Sequence, residues 1–124
     1  MFKEYFNEIL FFDENDFILE CSVGNIIFLT HDTVIAPTVL NKVFQGITLV
    51  ELEKCCREHN IKFISKEVSR SELNTFQSAY MINSVVGLKQ IDLIDNVKYT
   101  ESEFSDMLKK CFSKYCDHYR VNYE

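Results

Sequence analysis

A mixed α/β domain with one dominant sheet and helices packed on it is the fold this sequence predicts, on three observations. Short runs rich in Ile, Val, Phe and Tyr recur along the chain and are separated by turn-forming residues. Three segments instead begin with a hydroxyl residue followed three positions later by Glu, the device that opens helices. The two kinds of element alternate as strands, helix, strand, short helix, strands, helix. With 124 residues, eleven Phe and six Tyr, the chain can bury one sizeable core, and residues 1–124 read as a single domain.

Taken in order, Glu8 to Phe12 is an apolar run closed by Asp13-Glu14-Asn15-Asp16, all turn formers. Phe17 to Thr30 then reads as one long strand, and His31-Asp32 can turn the chain into Thr33 to Ala36 as a hairpin. Pro37, the sole proline, ends regular pairing on that side. Thr48 and Glu51 predict a helix with Leu49, Leu52, Cys56 and His59 on one face. A strand over Ile61 to Val68 follows, then a short helix opened by Ser69 and Glu72 through Leu73 and Phe76. Strands are expected over Ala79 to Asn83 and Leu88 to Ile94, with Val97 to Tyr99 beyond an Asp95-Asn96 turn. The longest helix opens at Thr100 and Glu103. Its apolar stripe is Phe104, Met107, Leu108, Cys111, Phe112, Tyr115 and Tyr119.

Bulk properties exclude several functions. A net charge of −6 argues against a nucleic-acid partner, since phosphate backbones are bound by clustered Lys and Arg. No segment is long and apolar enough to span a bilayer, and Met1-Phe2-Lys3-Glu4-Tyr5 lacks the basic start of a signal peptide. Cys21, Cys55, Cys56, Cys111 and Cys116 match no zinc spacing, so no metal is expected, and they read as small buried thiols of a reducing cytoplasm. His31, His59 and His118 read as solvated or capping residues.

Three segments carry chemistry. Glu20 places a carboxylate inside an apolar run, where it needs a cationic or hydrogen-bonding partner. Gly46-Ile47-Thr48 precedes a helix, whose free N–H groups can hold a phosphate without a basic side chain. Asn83-Ser84, with Gly87 three residues on, ends an apolar strand in polar groups. The string Glu20-Cys21-Ser22-Val23-Gly24-Asn25, with these two later segments, resembles the class IV aminotransferases, the pyridoxal-phosphate enzymes of fold type IV. The resemblance spans about Glu8 to Ile94 in family order and spacing.

That resemblance implies pyridoxal 5′-phosphate as cofactor and a small-molecule substrate. Glu20 would face the pyridine nitrogen, with Ser22 and Asn25 shaping the strand bend beside the ring. Gly46, Ile47 and Thr48 would cradle the phosphate, and Asn83 and Ser84 would add donors. The Asn-Ser pair followed by Gly87 is more similar to 4-amino-4-deoxychorismate lyases than to aminotransferases of branched-chain or D-amino acids. Ile27, Ala36, Leu49 and Gln90 depart from the family pattern.

The family's Schiff-base lysine lies a few dozen residues before the signature Glu, whereas nineteen residues precede Glu20 here and Lys3 is too close to match. Lys42, Lys66 and Lys89 fall on other elements. The resemblance therefore implies the C-terminal, cofactor-binding half of an enzyme, without the N-terminal domain or the lysine. Such a piece is expected to be inactive alone and to form homo-oligomers through exposed apolar faces, or, as the alternative, to act as a non-catalytic module that binds a partner through those faces.

Overall fold

The computed structural model describes residues 10–21, 24–39, 46–84 and 87–123, with side chains as far as 118. Strands β1 (Leu10–Phe12) and β2 (Ile18–Cys21) pair antiparallel as a small ribbon. The main sheet comprises β3 (Asn25–Leu29), β4 (Thr33–Pro37), β5 (Lys62–Lys66), β6 (Ser78–Asn83) and β7 (Gly87–Gln90). Its order is β5-β4-β3-β6-β7, antiparallel throughout except for the parallel β4–β5 pair. Helix α1 (Ile47–Glu58) lies between β4 and β5 in the chain, because parallel neighbours need a long crossover and cannot share a tight turn.

Both central strands are buried along their whole length, as expected of apolar runs covered on both faces. Side chains alternate between two cores. Ile27, Leu29, Val34 and Ala36 face α1 and α2 (Glu103–Tyr123), meeting Leu49, Leu52, Cys55, Cys56, Leu108, Phe112 and Tyr115. Ile26, Phe28 and Ile35 face the other way, onto Ile18, Val68, Leu73, Phe76 and Tyr99. In that second core Phe28 stacks on Phe76 with ring centroids 4.7 Å apart. Fully burying a side chain such as Phe28 contributes roughly 1.5–3 kcal/mol.

Several boundaries differ from those expected. The long strand over Phe17 to Thr30 is two strands. Cys21 and Gly24 exchange both backbone hydrogen bonds, at 3.1 and 3.3 Å, so β2 and β3 are separated by a doubling back at these two residues. The Leu88 to Ile94 strand likewise divides into β7 and β8 (Leu93–Ile94), and β8 forms a hairpin with β9 (Val97–Lys98). Asp95, at φ 54°, makes that turn.

Of the three helix-opening devices, one forms as read. The Ser69 N–H donates to Glu72 Oε1 at 2.9 Å, opening a 3₁₀ helix over Arg70–Thr75. Helix α2 is opened by Ser102 and Ser105 instead of Thr100 and Glu103. Each serine N–H donates to the other's hydroxyl, at 2.7 and 3.1 Å. Helix α1 starts one residue before Thr48, and Glu51 accepts a hydrogen bond from the Tyr115 hydroxyl at 3.0 Å instead of closing a box. Met107, expected in the apolar stripe of α2, is 44% exposed. Among the described residues no helix is long and apolar enough to cross a membrane.

Candidate functional site

Where β3 begins, the three sequence segments converge. Asn25 is its first residue and is buried, and its Oδ1 accepts the Gly46 N–H at 2.9 Å, joining groups 21 positions apart. Across the sheet Asn25 pairs with Ile82, and Asn83, half-buried, pairs with Gly87. A Cβ placed on Gly24 would lie 2.5 Å from the Ile82 carbonyl oxygen and 3.0 Å from Asn83 Cβ. Only a residue without a side chain lets β3 approach the end of β6 this closely. Gly24, Asn25, Gly46 and Asn83 therefore form one junction. Ser84, exposed in the turn after β6, follows directly.

Gly46 is also the N-cap of α1. Its position against Asn25 is tight, since an added Cβ would meet Oδ1 at 3.2 Å. No side chain caps the helix, and its first turn carries no acidic residue. The first intrahelical bond runs from the Val50 N–H to the Gly46 carbonyl, 3.2 Å. The amides of Ile47, Thr48 and Leu49 come before it, so they have no acceptor within the helix. Together with the positive end of the helix dipole they offer N–H donors of the kind that can hold an anion. Ile47 stands 80% exposed there, and Thr48 is half-buried.

Glu20 lies on β2 opposite Phe11 and is half-buried. Among the described residues no hydrogen bond or ion pair engages its carboxylate. The next residue, Cys21, is buried, and its thiol reaches the carbonyls of Gly24 and Asn25 at 3.3 and 3.6 Å, which ties β2 to the junction. Ser22 lies outside the described residues.

Two groupings were not legible in the sequence. Glu101 receives hydrogen bonds from the Tyr80 hydroxyl (2.5 Å) and the Ser105 hydroxyl (2.9 Å), with Lys109 Nζ 3.1 Å away. Burial opposes ionisation of Glu101, yet these donors outweigh it and hold the carboxyl below its usual range. Burial and the Glu101 hydrogen bond push the Tyr80 hydroxyl well above its ordinary value. This network fastens the start of α2 to β6. The second grouping borders a cleft of about 900 Å³ between α2 and the end of α1, lined in part by His59, Ile61, Cys111 and Tyr115. None of the residues assigned to a cofactor lines it.

Comparison with known proteins agrees with the geometry. Residues 2–94 match the family described as amino-transferase class IV. A curated relative, a probable branched-chain-amino-acid aminotransferase of Rickettsia felis, is 20% identical over 113 residues, which make up 88% of this chain and 39% of that protein. Among solved structures, 4-amino-4-deoxychorismate lyase from Pseudomonas aeruginosa superposes with a TM-score of 0.77 at 21% identity, covering 86% of this chain and 40% of that one. A hypothetical aminotransferase from Mycobacterium tuberculosis in its PLP-bound form gives 0.78 at 12% identity, with 87% and 38% covered. The chain thus spans about two fifths of the length of these relatives. Full-length enzymes of this kind use pyridoxal phosphate. With the signature segments meeting at one junction and the match running over most of its length, the chain belongs to the amino-transferase class IV family.

Proposed function

We propose that this chain is the cofactor-holding C-terminal part of a pyridoxal-phosphate enzyme, with the chemistry of a 4-amino-4-deoxychorismate lyase. That reaction eliminates pyruvate to give 4-aminobenzoate, a step of folate synthesis. When bound, the cofactor supplies an electron-withdrawing ring that stabilises negative charge on a substrate carbon. The observation that carries the reading is the Gly46–Asn25 hydrogen bond, which fixes an uncapped helix N-terminus beside the start of β3.

The chain's own residues then have definite tasks. The amides of Ile47 and Thr48 hold the phosphate, and Asn25 positions them by anchoring Gly46. The Glu20 carboxylate would hold the proton on the ring nitrogen, which gives a partner to a half-buried group that has no ion pair among the described residues. Asn83 and Ser84 sit where the junction can offer further donors, and the family resemblance gives Ser22 a place beside the ring. Polypeptide outside residues 1–124 would supply the Schiff-base lysine and the smaller domain. The exposed Ile47 and Phe11 are apolar surface that such a domain, or a second copy in a homo-oligomer, would cover. A cytoplasmic enzyme fits cysteines that form no disulfide with one another.

A branched-chain or D-amino-acid aminotransferase is the competing reading, favoured by the name of the Rickettsia relative. Asn83-Ser84 with Gly87 favours the lyase. Given 4-amino-4-deoxychorismate, the natural-length protein should release pyruvate with no keto-acid acceptor present. Turnover that depends on an acceptor would overturn the lyase in favour of the transferase. For the 124-residue chain alone we expect no turnover and weak cofactor binding, measurable by equilibrium dialysis. Pyridoxal phosphate should be retained better than pyridoxal, and inorganic phosphate should displace it. Equal retention of pyridoxal and its phosphate would refute the phosphate site.

A further inference from the structure

We propose that Cys55, His59 and Cys111 form a binding site for one thiophilic metal ion of the zinc(II) class, in the seam between α1 and α2. The inference is independent of the cofactor site, which lies at the opposite end of α1. The ligand atoms of all three residues lie within 4.8 Å of one another. Cys55 and His59 stand one helical turn apart on α1, so their side chains project from the same face. Packing of α2 brings Cys111 onto that face, with its sulfur 3.7 Å from Cys55 Sγ.

The spacing suits an ion. Two sulfurs each about 2.3 Å from a tetrahedral zinc lie about 3.8 Å apart, close to the separation found here. A disulfide would need the sulfurs at about 2.05 Å, a large movement for two packed helices. Van der Waals contact alone gives two thiols similar spacing, so the third group decides the matter. His59 Nδ1 lies 3.9 Å from Cys55 Sγ, and a zinc-bound nitrogen and sulfur would be about 3.6 Å apart. Small side-chain rotations close that difference.

The backbone already holds His59 in place. It is the C-cap of α1, and its N–H bonds to the carbonyls of Cys55 and Cys56, each at 3.2 Å. Its Nδ1 is 2.9 Å from the same Cys55 carbonyl, a contact that it would exchange for the ion. That carbonyl keeps the His59 N–H, so the exchange strands no buried acceptor. Cys55 is fully buried, whereas His59 is exposed and lines the cleft with Cys111. The ion therefore has a way in, and water can complete its coordination. On binding, two S–H bonds break, two metal–sulfur bonds form and two protons pass to solvent.

Thiol and imidazole donors select zinc over magnesium or calcium. The test is a titration of the reduced chain with zinc against a chromophoric chelator, repeated with cobalt(II) as a spectroscopic probe. We expect one ion per chain and a thiolate-to-cobalt charge-transfer band. Cys111→Ser and His59→Ala occupy incompletely buried positions, and circular dichroism would verify their folding. Each should weaken binding by more than the roughly 10–100-fold typical of losing an outer-shell partner. His31→Ala, which removes an exposed histidine in the β3–β4 turn, should leave the affinity unchanged. No stoichiometric uptake under reducing conditions, or equal affinity in the Cys111 and His59 variants, would overturn the site.

Discussion

The two ends of α1 solve opposite problems. At the N-terminus the helix is uncapped, carries no acid in its first turn, and presents Ile47 to solvent, with the Asn25 side chain tied to Gly46. At the C-terminus Cys55 and Cys56 are fully buried, Arg57 complements the dipole, and the last carbonyls accept the His59 N–H. Burial pushes the Cys56 thiol up to about 12, as befits a group packed away from water. One end is finished by the fold, and the other is left with amides that a ligand can take up. Orphan amides at a helix start are taken up by caps, water or ligands, and here no side chain caps them.

Changes at the packed end should reduce stability and leave phosphate binding intact in the folded fraction. The largest such loss is expected for Leu52→Ala, which empties a fully buried position facing the sheet. It should cost about 2–5 kcal/mol in urea unfolding. Gly24→Ala, at the junction and not at the packed end, comes next in size, because its Cβ would strike the Ile82 carbonyl oxygen. Spreading β3 from β6 should cost roughly 1–3 kcal/mol and should also disturb the junction.

Asn25→Ala removes the acceptor of the Gly46 N–H and should cost about 1–3 kcal/mol while loosening the phosphate site. Equal stability and equal phosphate affinity in this variant would remove Asn25 from the account. The smallest effect on stability, and the sharpest separation of the two ends, should come from Thr48→Asp. A carboxylate in the first turn complements the dipole by about 0.3–1 kcal/mol. Melting temperature should therefore rise slightly while pyridoxal-phosphate binding falls, since two anions would compete for the same amides. A variant that gained stability and kept its affinity would put the phosphate elsewhere.

What the sequence revealed follows the same division. Gly46-Ile47-Thr48 is contiguous, so the start of α1 and its proposed phosphate contacts are legible in a few residues. The buried strands were legible too, because Ile26 to Leu29 and Val34 to Ala36 are unbroken apolar runs. The doubling back at Cys21 and Gly24 was hidden, since Phe17 to Thr30 reads as one apolar stretch and the reason for Gly24 lies across the sheet on β6. The Thr48–Glu51 pattern misled for a related reason: Glu51 is held by Tyr115 of α2, a contact with no local signature. Glu101 with Tyr80, and Cys111 with Cys55 and His59, likewise depend on where α2 packs. Helix periodicity placed His59 and Cys111 on apolar faces but could not say which partners they would meet.

The claim on which the account turns is that the free amides of α1 receive the cofactor's phosphate. Titrating pyridoxal phosphate into the ¹⁵N-labelled chain, with amide resonances assigned, reads it residue by residue. The account predicts that the largest shifts fall on Gly46, Ile47 and Thr48, and that they shrink in Asn25→Ala. Shifts confined to the α2 cleft, with those three amides unmoved, would contradict it.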